Sequence, residues 1–227
     1  MTPQLMSVPD HRATVAVQRR ERMRGRLFDS ALFLVATGGA AAATIDNVTA
    51  HASVSRGTFY KYFDRPDSLL MSLGQELSAD LIRHFNTLVE SYDDPADRIG
   101  IGMRALLRLV RKHPLLGRFI ARAGWPIVDG NNVFFELVGR DLKLGIRCAR
   151  FLPMHINVAC NLVAGSAIGA IHTLTMGRAA KDFPEQVAAG ILRGLGLSAT
   201  DAAGIAAYKF VTPPIDSKTL LGRAVML

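Results

Sequence analysis

The 227 residues, 49% of them apolar, suffice for one large domain or two small ones and exclude a miniature held together by disulfides or a metal. Two cysteines, Cys148 and Cys160, are too few for a disulfide framework and lack the paired spacing of a zinc site, so a reducing, cytoplasmic setting is expected. A net charge of +8 favours a polyanionic partner, nucleic acid or an anionic membrane surface, without choosing between them.

The first residues, "MTPQLMSVPDHRA", lack a basic start followed by an apolar core, so a secretory leader is not expected, and residues 1–18 read as a flexible extension. The first helix starts with the basic run "RRERMRGR", carries the stripe Phe28, Ala31, Leu32 and Val35, and stops at Gly38-Gly39. Thr44 is a good N-cap for a short second helix burying Ile45, Val48 and Ala52. Ser55 caps a third that buries Phe59 and Phe63. A long fourth helix runs from about Arg65 to Val89, with Pro66 in its first turn and Leu69, Leu70, Leu73, Leu77 and Leu81 along one face.

Beyond the turn "SYDDPAD", helices are predicted over 98–112, 115–123, 132–150, 155–176, 184–195 and 200–210, followed by a tail over 211–227. The chain reads as all-α. Phe151 to Gly177 carries no Asp, Glu, Lys or Arg and is long enough to span a bilayer. Pro153, His155, Asn157, Asn161 and His172 inside the run argue instead for a helix buried on most sides by protein.

Chemistry concentrates in "TIDNVTAHASVSRGTFYKYF", residues 44–63. Two short helices joined by a tight turn, the second exposing basic, hydroxyl and aromatic residues between apolar ones, suit a helix laid in the DNA major groove. An Arg there can donate two parallel hydrogen bonds to guanine, while hydroxyls and Lys hold phosphates. A helical hairpin with a solvated polar face fits the same pattern.

The stretch "TIDNVTAHASVSRGTFYKYFDRPDSLL", preceded by "ALFLVATGG", resembles the DNA-binding domain of the tetracycline-repressor-like (TetR) family of transcriptional regulators. The likeness covers about Arg20 to Leu77 and is strongest over Val54 to Phe63. It implies a three-helix DNA-binding domain (19–64) and a larger helical domain (65–210) that dimerises and holds a small apolar inducer. Helix 65–89 would be the only continuous link between them. The implied partner is a palindromic double-stranded DNA operator, bound by a homodimer whose contact is made through 155–176 and 184–195, around Gly165-x-x-x-Gly169.

Carried onto this sequence, the resemblance makes Arg56 the base reader, with Gly57 allowing close approach and Thr58 beside it. Tyr60, Lys61 and Tyr62 grip phosphates, Ser55 opens the recognition helix, and Thr44 meets the backbone where free N–H groups favour an anion. Two departures stand out. Ser53 occupies a turn position where Gly is common, at a cost of about 1 kcal/mol or more if the turn is left-handed, and Pro66 stands where a Lys often holds a phosphate. Met1 to Arg65 holds nine Arg and Lys against five Asp and Glu. Within it, Arg19, Arg20, Arg22, Arg24 and Arg26 form either a phosphate-facing cluster or a solvated helix start.

Candidate ligand contacts are Met103, Leu107, Phe119, Trp125, Phe134, Phe135, Asn161 and His172, apolar or aromatic groups with a few polar orienters. Each also fits plain core. No cofactor or metal is implied: "GIGMRA" from Gly100 and "GLGLSA" from Gly194 mimic the start of a dinucleotide fingerprint but follow no strand. His-Glu-x-x-His, Walker and Gly-x-Ser-x-Gly motifs are missing, so an enzyme is not expected, although a dispersed active site would leave no motif. A protein that binds anionic membrane through its basic N-terminal helix is the remaining alternative, with charge alone to hold the surface.

Overall fold

The computed structural model describes residues 11–123 and 133–227. Among these the chain is helical throughout, with no strand: α1 (His11–Gly38), a 3-10 turn (Ala40–Ala42), α2 (Ile45–Ala52), α3 (Arg56–Tyr60), α4 (Pro66–Val89), α5 (Pro95–Lys112), α6 (Pro114–Ala123), α7 (Val133–Arg147), α8 (Ile156–Thr175), α9 (Phe183–Gly194), α10 (Ala199–Ala207) and α11 (Leu220–Ala224). The expected all-α architecture is therefore the observed one.

The N-terminal head forms around the α1 stripe. Phe28, Ala31, Leu32 and Val35 are fully buried and meet Val48 and Ala52 of α2, Phe59 of α3 and Phe63. The rings of Phe28 and Phe63 lie 5.8 Å apart and those of Phe59 and Phe63 6.0 Å apart. Ile45 is only half-buried. Thr49 takes the buried place, its hydroxyl satisfied by donating 2.7 Å to the Ile45 carbonyl. His51 stacks on Phe33 at 4.9 Å and sets Nδ1 3.0 Å from Ser30 Oγ, fastening α2 to α1.

α1 is already helical from His11, so residues 11–18, read as part of a flexible extension, belong to this helix. α4 starts where proline favours it, with Pro66 in its first turn and Asp64, Arg65 and Ser68 hydrogen-bonded around its N-terminus. Its Leu69, Leu73 and Leu77 extend the head core into the second domain without a break. Asp94 caps α5 by accepting 2.8 Å from the Ala96 N–H and takes a second hydrogen bond of 2.8 Å from Arg150. The glycine of "GIGMRA" has a packing role: a Cβ on Gly100 would fall 2.7 Å from Ile205 and 3.1 Å from Leu192, so its absence lets α9 and α10 close onto α5.

Three readings are corrected by the structure. α7 stops at Arg147 rather than 150, because Ala149 turns left-handed (φ 56°) and the Arg150 N–H bonds back to the Gly145 carbonyl at 2.9 Å. α8 is not buried on most sides: long and apolar enough to cross a membrane by length and composition, it has 39% of its most apolar window buried inside the protein. Its outer face presents Asn161, Gly165, Gly169 and His172 to solvent.

The third correction concerns the tail. Residues 211–227 carry α11, capped by Thr219, which packs on α1 and α4 with Leu220, Leu221 and Ala224 buried. Asp80 of α4, itself buried, accepts the Leu221 N–H at 3.1 Å, and Arg223 donates to Asp29 of α1 at 3.1 Å. α4 is the continuous connection between the domains, and packing adds further contacts between them. α11 straps α1 to α4, and α6 packs along α1, with Arg122 donating 2.9 Å to the Ala36 carbonyl.

Candidate functional site

The turn between α2 and α3 sets the geometry of the polar face. Ser53 adopts φ 52°, ψ 52°, and the N–H groups of Ser53 and Val54 return to the carbonyls of Ala50 (3.1 Å) and Thr49 (2.9 Å), a left-handed helix stop. Ser therefore occupies a conformation that glycine would adopt freely. Arg26 of α1 donates its guanidinium to the Ala52 carbonyl and, at 3.4 Å, to that of Ser53, placing a cation on the C-terminus of α2.

Both predicted caps are in place. Thr44 accepts the Asn47 N–H at 3.2 Å, and Ser55 accepts that of Thr58 at 3.1 Å, with the two hydroxyls of Ser55 and Thr58 3.0 Å apart. Ser55, Arg56, Gly57, Tyr60 and Lys61 are exposed along α3 and its end, while Thr58 and Tyr62 are half-buried and Phe59 is fully buried. A Cβ on Gly57 would meet only Ser55 Oγ, at 3.8 Å, so nothing inside the chain requires a glycine there. Arg56 is not free: its Nε and Nη2 lie 2.6 and 2.5 Å from Asp46 Oδ1 on α2.

The basic run divides by partner. Arg24 pairs with Glu76 of α4 at 2.5 Å and lies 4.3 Å over the Phe28 ring, and Arg26 holds the turn, so these two serve the head itself. Arg19 and Arg20 stay exposed and line a groove with Thr58, Lys61 and Tyr62, one helical turn of α1 facing the recognition segment.

The second feature is a cavity of ≈ 170 Å³ among α4, α5, α6, α7 and α8. Leu81 and Phe85 of α4, Met103 of α5, Ile120 of α6 and Ala167 of α8 contribute to an almost wholly apolar wall. The polar lining is buried Asp141 paired with half-buried Arg98 at 3.0 Å, with Ser78 and Asn86 also on the wall. Of the predicted ligand contacts among the described residues, only Met103 lines this space. Leu107 and Phe119 are solid core, because their positions face inward between packed helices. Asn161 and His172 lie on the opposite, solvent-facing side of α8. Trp125 and the side chains of Phe134 and Phe135 lie outside the described residues. The signal missed was Asp141: a carboxylate amid the apolar positions of α7, which an interior helix keeps only with a partner.

On the outer face of α8, Gly165 and Gly169, together with Gly190 of α9, have nothing within 4 Å of an added Cβ. The stripe is flanked by the exposed apolar side chains Val158 and Met176. This is the surface on which the sequence reading sets the contact between two copies.

Comparison with known proteins agrees with this architecture. Residues 27–72 match the family model described as bacterial regulatory proteins, tetR family, and residues 94–208 that described as tetracyclin repressor-like, C-terminal domain. Two curated proteins from strains of Mycobacterium tuberculosis, both named as uncharacterized HTH-type transcriptional regulators, are 25% identical over 138 residues, 61% of this chain. The match spans 65% of their own length. Among solved structures, RolR in complex with resorcinol is 28% identical and superposes with a TM-score of 0.69 over 88% of this chain and all of its own. The fatty acid degradation regulator FadR from Bacillus halodurans, 17% identical, shares the fold with a TM-score of 0.63 over 75% of this chain and 98% of its own. With a helix-turn-helix head and a divergent helical domain both matched, the chain belongs to the TetR family of regulators.

Proposed function

We propose that this protein is a transcriptional repressor that binds a palindromic DNA operator as a homodimer and is released by a small, largely apolar ligand. The observation that carries the reading is the face of α3: Phe59 is buried while Arg56, Gly57, Tyr60 and Lys61 stand exposed beside Arg19 and Arg20 of α1. Arg56 reads a base edge, with Gly57 and Thr58 admitting the duplex closely. Lys61, Tyr60, Tyr62, Ser55 and Thr44 hold the backbone, and Arg19 and Arg20 take the phosphate-facing role that was one of the two readings of the basic run. Pro66 opens the first turn of α4 and carries no charge for a phosphate, so Lys61 and the α1 arginines supply the cationic contacts.

One five-residue recognition helix has little affinity alone, and two copies spaced by a turn of DNA supply the rest. The small-residue face of α8 and α9 is the surface that brings two copies together, because backbones approach closely where no side chain intervenes. Working on a DNA operator, the protein acts in the cytoplasm, as a regulator rather than an enzyme.

The cavity suits a ligand about the size of one aromatic ring, since an engineered space of ~150 Å³ holds benzene. Arg98, Asp141 and Asn86 give such a ligand one polar end, and the resorcinol of RolR has that character. A ligand bound against Leu81 and Phe85 bears directly on α4, so it favours the DNA-free arrangement, and DNA by reciprocity weakens ligand binding. The test is selection of bound duplexes from a random pool, with and without a panel of hydroxylated aromatics. A palindromic consensus released by a panel member is expected. A monomer in sedimentation that selects a non-palindromic site would overturn the reading.

A further inference from the structure

We propose that Asp46 is a positioning residue for base recognition: it holds Arg56 by one edge of the guanidinium and leaves the other edge presented for guanine. The inference rests on the reading of Arg56 as the base contact and adds the group that aims it.

The geometry is specific about which edge is used. Nε and Nη2 of Arg56 both approach Oδ1 of Asp46, at 2.6 and 2.5 Å. Those two nitrogens form the side of the guanidinium that faces back along the chain. The outer end, Nη1 with the remaining hydrogen of Nη2, is left with no partner among the described contacts, and its two parallel N–H groups can still pair with O6 and N7 of guanine. Asp46 Oδ2 is likewise unused. The two residues come from different helices, Asp46 from the first turn of α2 and Arg56 from the first residue of α3, ten positions apart across the left-handed turn. Their register is therefore fixed by the Ser53 turn and by the Arg26 hydrogen bonds that hold it.

Stability does not account for the pair. Both side chains are about two-thirds exposed, 68% and 64%, and an ion pair so wet contributes little to folding. An acidic group on a DNA-facing surface also repels phosphates, a standing penalty for binding in general. What the carboxylate supplies is order: an exposed arginine samples many rotamers, and fixing it before the encounter removes that entropic cost from the specific complex while nonspecific binding, made through phosphates, gains nothing.

The prediction therefore has opposite signs on two substrates. Affinities of wild type, Asp46→Ala, Arg56→Ala and the double variant are measured on the selected operator, on the same duplex with each base pair of the half-site replaced in turn, and on scrambled DNA. Asp46→Ala should bind scrambled DNA at least as tightly as wild type. Its preference at the base pair read by Arg56 should fall about two- to tenfold, the cost of ordering one long side chain and less than the loss in Arg56→Ala. In the Arg56→Ala background, removing Asp46 should cause no further loss of preference. If Arg56→Ala relaxes one position while Asp46→Ala leaves the preference there intact, the positioning role is wrong although the base reader stands. Independent losses in the double variant also overturn it, since they mean Asp46 acts by local unfolding or by its own contact. Preference surviving in Arg56→Ala overturns the underlying base-reader assignment instead.

Discussion

Ser53→Gly should stabilise this protein although it deletes a side chain. Ser53 sits at φ 52°, ψ 52°, where a Cβ crowds the carbonyl, at a cost of roughly 1–2 kcal/mol. Glycine removes that cost and returns part of it, about 0.4–1 kcal/mol, through the greater freedom of the unfolded chain. About 1 kcal/mol of net stabilisation remains. Nothing offsets it, because the Ser53 side chain is exposed and the contacts of the turn are made by backbone: the N–H to the Ala50 carbonyl, and the carbonyls of Ala52 and Ser53 to Arg26. For a chain of this length the midpoint of thermal unfolding should rise by roughly 2–4 °C. Ala149→Gly is the internal control: Ala149 is the other non-glycine residue with positive φ among the described residues, at 56°, and lies in the C-terminal domain far along the chain from the head. Calorimetry of the two variants should give similar rises. A fall for Ser53→Gly beside a rise for Ala149→Gly would mean that the serine side chain holds the turn, and the argument from backbone conformation would be refuted.

Gly222→Ala should undock the C-terminal strap, because its Cβ would fall 2.2 Å from the Asp216 carbonyl oxygen and 2.7 Å from Ser217 Cα, backbone atoms that cannot swing aside; amide exchange should rise in α11 and in the facing turns of α1 and α4, and unchanged protection there would count against the strap. Burial holds the His84 imidazole below the usual histidine value, and its Nε2 has no hydrogen-bond partner. The unfolded chain therefore takes up the proton more readily, so stability should fall as pH drops through about 6.5 and level off below the folded value. His84→Leu should flatten the fall in urea midpoint between about pH 7.5 and 5.5, and parallel curves for the two proteins would exclude this histidine as the cause. Gly165→Glu should yield a folded monomer, since the added side chain meets open space within one copy and would set a charge in the proposed contact between two; a dimer of undiminished affinity in sedimentation would move the interface elsewhere. Ala167→Leu should fill the cavity, abolish the ligand response and keep operator binding, whereas a variant that still responds to ligand would show that the ligand binds at another site.

Local chemistry was the legible part of the sequence. N-caps act over three residues, so Thr44 and Ser55 announced α2 and α3 to within a residue, and Pro66 did the same for α4. The Phe59 and Phe63 pair was readable because both lie on the face that Val54 begins. Partnerships across long separations left no such trace. Arg24 and Arg26 look alike in "RRERMRGR", yet one reaches Glu76, 52 residues on, and the other the end of α2, 26 residues on. A cavity is harder still, being the space that five helices fail to fill, and polarity is a poor guide to it: Asn161 and His172 read as orienting groups in an apolar run, yet both are exposed. Eleven residues are close to three helical turns, so the pair shares one face with Gly165 and Gly169, and that face points outward. α11 escaped because five residues carry no measurable period, although Thr219 before Leu220-Leu221 is the same cap signal read correctly elsewhere.

How the cavity could speak to the head follows from which helices touch both. α4 lines the cavity with Leu81 and Phe85 and then continues into the head core through Leu77, Leu73 and Leu69, so a tilt at one end is felt at the other as a rigid displacement. α6 contributes Ile120 to the cavity and packs along α1, with Arg122 fastened to the α1 C-terminus at the Ala36 carbonyl. Two elements thus leave the same space and meet α1 at different heights. α11 ties α1 to α4 at the level of Asp29 and Asp80, so these two helices are coupled at that height. The head has little freedom to flex alone. A change in the cavity is therefore expected to rotate the whole head, carrying the Arg56 and Asp46 pair with it unchanged, and to act on DNA through the distance between two heads rather than by altering which base each one reads.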